Sequence, residues 1–487
     1  MSFRSLVLLL AVVGVAAMAS RPAFDTDTWW HLRAGQWIVN QRSAPTLDPF
    51  SFTMRGAPWE YPGWLSQVVM LGFYRVGGLQ GLTLFSAALV FVAFLFLWPL
   101  LQGPILLRTT VLLLSAAASA VYWAARPHIA SFALAAFFFW ALEMWRRGRR
   151  RRIVWLLPPV MALWVNLHGG FAIGFLLLIM YAGAALIDLG TEVILRGRPF
   201  PVVWAERRAD LGTLAGVMVL CVAATAVNPH GPGILLYPLR TVSIPVLGWI
   251  LEWQPPDPSS PQLYPFLMML VLLITALGAS RLAAETTEIL LAAAWTALAL
   301  IAVRNVPIFA LVSAPVIARH TTAAIEAYSA AFGTSERQER RWLNASMGGL
   351  LGLVLVAWIA LQADPRRSEE QLRAQVPVAA VAALRQLGPR GNLLNDYNWG
   401  GFVLWELYPD FPTFIDGRTD LFSREVFEDY LTMWATRAGW EAAIDRWDIG
   451  TVLLPPDSPL TDALWEVGWE EAFRDRQAVV LRRVGAQ

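Results

Sequence analysis

The chain has 487 residues with 38 Lys plus Arg, 36 Asp plus Glu and a formal net charge of +2. Its apolar share is 56% even without glycine, its charged share only 15% and its mean hydropathy +0.49. Soluble domains average about 45–50% apolar with glycine counted and about 25% charged, so a soluble, disordered or fibrous protein is excluded. Every cationic side chain is Arg. The lack of Lys removes Schiff-base lysines and the phosphate-loop lysine of nucleotide hydrolases, and near-neutral charge gives nucleic acid nothing to bind. A single cysteine, Cys221, excludes an internal disulfide and cysteine-based metal sites.

A crossing of the bilayer needs about 20 mostly apolar helical residues, and about eleven such runs are present. They fall near 4–20, 80–101, 105–125, 129–145, 153–167, 171–189, 211–228, 263–280, 287–303, 307–319 and 345–362. The first run follows Arg4 and ends near Ala17-Met18-Ala19, which resembles a cleavable leader, but it reads as a retained span. The expected class is a polytopic α-helical membrane protein, with residues 1–362 as the membrane domain and 363–487 as a small α/β domain. Orientation follows from arginine. The run Arg146 to Arg152, together with Arg196, Arg198, Arg207, Arg208, Arg319, Arg337, Arg340 and Arg341, belongs on the cytoplasmic side. That places the N-terminus inside, and the long loop 21–79 and the C-terminal domain outside.

The same topology gathers unusual polar residues at one face: Asp25, Asp27, His31, Arg126, His128, Asn166, His168, Asn228, His230, Glu252 and Arg304. Ionisable groups at membrane depth are costly and mark sites. Asp25 and Asp27 could share a divalent cation, or one could accept a proton; Asp27 could equally cap a helix over 28–40. The aromatics after Asp27 could sit in the interface or stack on a sugar. Arg126 and Arg304 suit phosphate oxygens, being permanently charged and forked. His128 and His168 are further candidates at the outer ends of spans, with helix capping as the plainer reading of the Asn-His-Gly turns. Beyond residue 363, short apolar runs at Asn392–Leu394, Thr413–Ile415, Thr451–Leu454 and Val479–Leu481 alternate with helical stretches at 377–387 and 424–434, which predicts a mainly parallel sheet.

Two segments carry a family resemblance. Asp27-Thr28-Trp29-Trp30-His31-Leu32-Arg33 resembles the first outer loop of oligosaccharyltransferase catalytic subunits of the eukaryotic and archaeal type, members of the GT-C membrane glycosyltransferases. Asn395-Asp396-Tyr397-Asn398-Trp399-Gly400, followed by Phe414-Ile415-Asp416-Gly417-Arg418, is similar in setting to their WWDYG acceptor motif, with the order changed and the paired Trp missing. Their second outer loop bears an acidic pair where this chain has Ala125-Arg126-Pro127-His128. The resemblance implies Asp27 as the catalytic, metal-binding carboxylate and Asp25 as its companion, with Mg2+ or Mn2+ as the possible ion. By their own chemistry and placement Arg126, Arg304, His168 and His128 are the candidates for the donor phosphate, and the resemblance implies Glu252, Asp396 and Trp399 at the acceptor. The expected partners are the bilayer, a polyprenyl-(di)phosphate-linked sugar and a protein or glycan acceptor. Two other classes are an O-antigen-ligase-like or lipid-modifying transferase without an acidic catalyst, and a transporter or envelope-assembly scaffold; the latter would usually show paired repeats and midplane charges.

Overall fold

A computed structural model describes residues 1–22, 25–244, 250–329 and 341–485, so Arg337 and Arg340 lie outside the described residues. Each expected apolar run is helical. Among the described residues seven helical segments are long and apolar enough to cross a membrane by length and composition: Trp64–Leu100, Ile105–Tyr122, His128–Arg146, Gly169–Leu195, Pro261–Ala279, Val303–Ala327 and Arg341–Gln362. The other runs form shorter or more polar helices. Phe3–Ala19 and Thr286–Ile301 have 17 and 16 residues, Leu157–Leu167 has 11, and Phe200–Ala224 carries Glu206, Arg207, Arg208 and Asp210 in its first half.

The chain divides into two compact units. The first comprises Met1–Ala23, Thr83–Pro238 and Gly248–Gln362. In it, helix Val306–Ser329 packs on Ile105–Ser119, Tyr264–Ala279 and Thr286–Ile301. Its interior carries a charge network at the Arg146 end of helix His128–Arg146. Buried Glu143 accepts Arg146 Nε (2.9 Å), Arg147 Nε (2.8 Å) and the Tyr181 hydroxyl (2.7 Å), while Arg319 pairs with Glu285 (2.6 Å) and Glu288 (2.7 Å). The cluster borders a cavity of about 240 Å³, and the arginines supply the partners that buried Glu143 and Glu288 need.

The second unit comprises Phe24–Leu82, Leu239–Leu247 and Ala363–Gln487. The long loop 21–79 is therefore folded structure: it contains helix Thr28–Gln41 and the start of helix Trp64–Leu97, whose regularity breaks at Gly78 with φ 57°. The sheet has four strands, β1 (Asn392–Asn395), β2 (Ile449–Leu454), β3 (Glu470–Arg474) and β4 (Val479–Arg482), in the order β1-β2-β4-β3. Only β1 and β2 run parallel; β2–β4 and β4–β3 are antiparallel. The mainly parallel sheet expected from the sequence is thus mixed. Thr413–Ile415 is not a strand but makes single bridges from Thr413 to Ser51 and Leu393. β3 reads Glu-Glu-Ala-Phe-Arg and is largely exposed, an edge strand without the apolar alternation that would announce it.

At the centre of this unit lies a fully buried ion triad. Arg418 donates through Nε (2.8 Å) and Nη2 (2.7 Å) to Asp416 and through Nη1 to Asp48, and all three side chains are inaccessible to solvent. The guanidinium lies 5.2 Å from the Phe50 ring centre and 4.9 Å from that of Trp59, within cation–π range. The carboxylates are satisfied in turn by the Phe50 and Ser51 amides on Asp48 and by the Thr413 hydroxyl on Asp416. Opposed charges pull both acids strongly toward the guanidinium, and despite the desolvation cost the Arg418 pKa is raised by Asp416 and Asp48. Replacing Arg418 by Met strands two buried carboxylates beside each other. Arg418→Met is expected to cost about 3–5 kcal/mol in denaturation of the purified protein, whereas a loss under about 1 kcal/mol would mark the triad as no better than a surface pair.

Candidate functional site

The acidic end of the site is built by the start of helix Thr28–Gln41. Asp25 accepts the Asp27 amide on Oδ1 (2.9 Å), and the Thr28 amide donates to the Asp25 carbonyl (3.1 Å), so a tight turn presents Asp27 at the N-cap position. Asp27 makes no side-chain capping bond to the helix it precedes. Its carboxylate lies instead over Gly417: a Cβ at that residue would collide with Asp27 Oδ1, and the next neighbour is the Trp30 indole nitrogen. The capping role open to Asp27 in the sequence is therefore not the one its side chain takes.

The aromatic residues after Asp27 are structural. Trp29, Trp30 and His31 are buried. Trp29 packs edge-on against Phe402 at 5.2 Å, and Trp30 packs on Trp59 and Tyr61. His31 Nδ1 sits 3.3 Å from Gln67 Nε2. Arg33 bonds Gln36 (2.8 Å) and the Tyr408 carbonyl. This motif grips the C-terminal segment with its helix and leaves Asp27 at the helix tip.

Asp396 and Trp399 serve the strand-to-helix turn. Asp396 Oδ1 accepts the Asn398 amide at 2.8 Å as the cap of Tyr397–Trp399, and Trp399 is buried. Gly400 has no room for a side chain beside the Ile415 carbonyl, and Gly401 faces the Thr26 carbonyl. Burial raises the Asp396 pKa above its ordinary 3.8, although the Asn398 and Trp399 amides pull it back.

The basic candidates converge in the first unit. Glu252 lies between two arginines, with Oε2 3.4 Å from Arg126 and Oε1 3.7 Å from Arg304. Arg304 stacks over Trp253 at 3.9 Å. Burial would raise the Glu252 pKa, but Arg126 and Arg304 outweigh it and the net shift is downward. His168 belongs to the same neighbourhood, 6.4 Å from His128 between ring centres. Its Nδ1 accepts the Gly170 amide (3.0 Å) and meets Ser131 Oγ (2.9 Å), which also receives the Trp164 indole (2.8 Å). Burial first, then the nearby cations, hold its pKa well below the usual histidine range. His168 is thus a neutral imidazole whose proton resides on Nε2. His128 donates from Nε2 to the Tyr122 carbonyl at 2.6 Å. Asn166 and Asn228 tie two helix ends together through the Val165 and Val227 carbonyls, a structural task.

Asp25, Asp27, Asp396 and Trp399 therefore belong to one compact unit and Arg126, His128, His168, Glu252 and Arg304 to the other. Among the described residues no three His, Cys, Asp or Glu side chains come together as a metal site. One oxygen of Asp25 accepts the Asp27 amide, and two carboxylates supply fewer oxygens than the roughly six or more a divalent ion takes. Sequence reasoning missed Gly417, Arg418, Asp48 and Ser131, whose roles depend on contacts remote in sequence; only the Asp-Gly-Arg triplet hinted at a tight turn.

The fold is that of membrane oligosaccharyltransferases and of ArnT. The crystal structure of the Archaeoglobus fulgidus oligosaccharyltransferase tethered to an acceptor peptide with an NVT sequon superposes with TM-score 0.56 at 12% identity, over 93% of this chain and 69% of that one. The A. fulgidus oligosaccharyltransferase AglB in complex with an inhibitory peptide and dolichol-phosphate gives 0.53 at 12%, over 92% and 69%. ArnT from Cupriavidus metallidurans bound to undecaprenyl phosphate gives 0.52 at 15% identity, over 99% of this chain and 98% of its own. No protein-family model and no curated protein sequence matches the chain.

The Asp396 environment makes a pH prediction. A carboxyl with a raised folded pKa binds more protons folded than unfolded above its ordinary 3.8, so stability falls as pH rises through that window. Asp396→Asn keeps the acceptor for Asn398 and removes the charge. Its melting temperature is expected to equal or exceed wild type at pH 7, with the fall just above pH 3.8 flattened; a clear loss of stability at pH 7 contradicts this.

Proposed function

We propose that this protein is an integral membrane glycosyltransferase. It moves a sugar or glycan from a polyprenyl-(di)phosphate donor to an acceptor at the extracytoplasmic face, with the N-terminus in the cytoplasm. The observation that carries the reading is an Asp27 carboxylate held at a helix tip yet not used to cap it, in a chain with the fold of proteins whose structures hold dolichol-phosphate and undecaprenyl phosphate.

The chemistry follows from the side chains. The acceptor's O–H or N–H passes its proton to Asp27 while its lone pair attacks the anomeric carbon. The bond from that carbon to the phosphate oxygen breaks, its electrons stay on the phosphate, and a single displacement inverts the centre. Arg126 and Arg304 offer forked donors to the phosphate as its charge grows, and His168 offers a neutral Nε2–H. Glu252 occupies the two arginines when no phosphate is bound, so donor binding displaces it. Asp25 sets the turn that carries Asp27. The acceptor is a peptide or glycan; contact with the Asp396 carboxylate would draw it from its Asn398 amide.

The test is an assay of purified protein in liposomes with defined polyprenyl-phosphate and polyprenyl-diphosphate sugars. Asp27→Asn should slow transfer by about 10²–10⁴-fold. Arg304→Gln should slow it by about 10²–10³-fold, the cost of one charge-stabilising donor. Label that stays on the lipid with every donor, or full turnover by Asp27→Asn, refutes the proposal.

A further inference from the structure

The Asp416-Gly417-Arg418 turn is held by more than its neighbours in sequence require. Arg418 ties its own segment to Asp416 and, across 370 residues, to Asp48. The Arg418 amide also donates to Asp416 Oδ1 at 3.0 Å, closing the turn around Gly417. From the other side Gly400 packs against the Ile415 carbonyl and Asp416, leaving no room for a Cβ. The turn therefore has little freedom to shift.

Gly417 faces the tip of helix Thr28–Gln41. The three atoms nearest the point where its Cβ would stand are Asp27 Oδ1, Asp27 Cγ and Trp30 Nε1. Its φ is not in the left-handed region, so glycine is required here for space and not for conformation. The Trp30 indole N–H is buried and has no hydrogen-bond partner among the described residues, an arrangement that costs free energy unless the donor has a use. It lies on the same side of Gly417 as the Asp27 carboxylate.

Resting on the reading of Asp27 as the catalytic base, we propose that Gly417 and Arg418 are positioning residues for its carboxylate. The Asp48–Arg418–Asp416 clamp fixes the turn, and the bare face of Gly417 fixes where the Asp27 carboxylate lies. Trp30 Nε1–H is the donor that meets this carboxylate when the acceptor is engaged. None of the three touches the reacting atoms; each acts through Asp27. A displacement of the base by about 1 Å is enough to lose about two orders of magnitude in rate.

Two measurements on the full-length protein test this. The first is a thermal cycle that needs no activity: Gly417→Ala, Asp27→Ala and the double variant. Because the added methyl meets the carboxylate, the double variant should melt higher than Gly417→Ala alone; additive losses overturn the proposal and leave the proposed reaction untouched. The second is kinetic. Gly417→Ala and Arg418→Lys, which keeps the charge but not the fork, should lower kcat about 10²-fold with the donor KM within about threefold, the mark of an interaction expressed in the transition state. Trp30→Phe, which keeps an aromatic ring and removes the donor, should lower kcat about tenfold or more with the donor KM within about threefold, since a hydrogen bond to a carboxylate is stronger than a neutral one. Wild-type kcat in Gly417→Ala, or a loss confined to KM, overturns the proposal. Full turnover by Asp27→Asn overturns the proposed reaction and this proposal together.

Discussion

A guanidinium buried without access to water organises the second unit. Arg418 cannot shed its charge, so burial forces the chain to bring acids to it. Asp416 comes from its own turn and Asp48 from a loop 370 residues away in the chain. Around that ion triad the flanking contacts become cheap to make: the Phe52 amide reaches the Thr413 carbonyl at 3.2 Å, and the Thr53 hydroxyl reaches the Phe414 carbonyl at 2.6 Å. Removing the cation would undo more than one pair, because each acid also orders its own amides. Ion triads of this kind seldom add stability over a well-packed apolar core, and their value lies in registry: only one alignment of loop and turn satisfies every donor.

In the first unit the electrostatic economy is different. Arg126 and Arg304 remain partly accessible, and the acid between them sits at 3.4 and 3.7 Å, longer than a tight charged hydrogen bond. Glu143, in contrast, is buried and holds Arg147 at 2.8 Å. Glu252 spans its two arginines at longer range than Glu143 spans Arg146 and Arg147, although the arginines of the two clusters are about equally accessible. The histidines differ too. His168 spends Nδ1 on a helix entry and keeps Nε2–H, while His128 spends Nε2 on a carbonyl.

Legibility in the sequence tracked the range of the interaction. Helical spans were readable because lipid demands long apolar runs, and helix 28–40 because its periodicity is local; the structure gives Thr28–Gln41, without the capping bond from Asp27. The folding of loop 21–79 was not readable, since its partners lie beyond residue 400 and Asp48, set between Leu47 and Pro49, has the look of an ordinary turn acid. The mixed sheet was missed because β3 exposes its charged residues at an edge. At the site, the Arg126, Glu252 and Arg304 cluster was anticipated through a shared membrane face, but the use of Glu252 as their counterion was not. The aromatics after Asp27 read as sugar-stacking candidates because sequence cannot tell a buried Trp from an exposed one.

The glycines complete the argument. Gly400, Gly401 and Gly417 owe their identity to their surroundings. None has the positive φ that would demand glycine. Each is bare because a backbone or a carboxylate of another segment lies where its Cβ would be: the Ile415 carbonyl at Gly400, the Thr26 carbonyl at Gly401 and Asp27 at Gly417. Segments distant in sequence thus meet closely at one helix tip, backbone against backbone at Gly400 and Gly401 and backbone against the Asp27 carboxylate at Gly417. Contacts of that kind transmit position without rotamer freedom. A carboxylate placed by them is held more tightly than its own two side-chain torsions would hold it, which is the kind of support a precisely placed functional group needs.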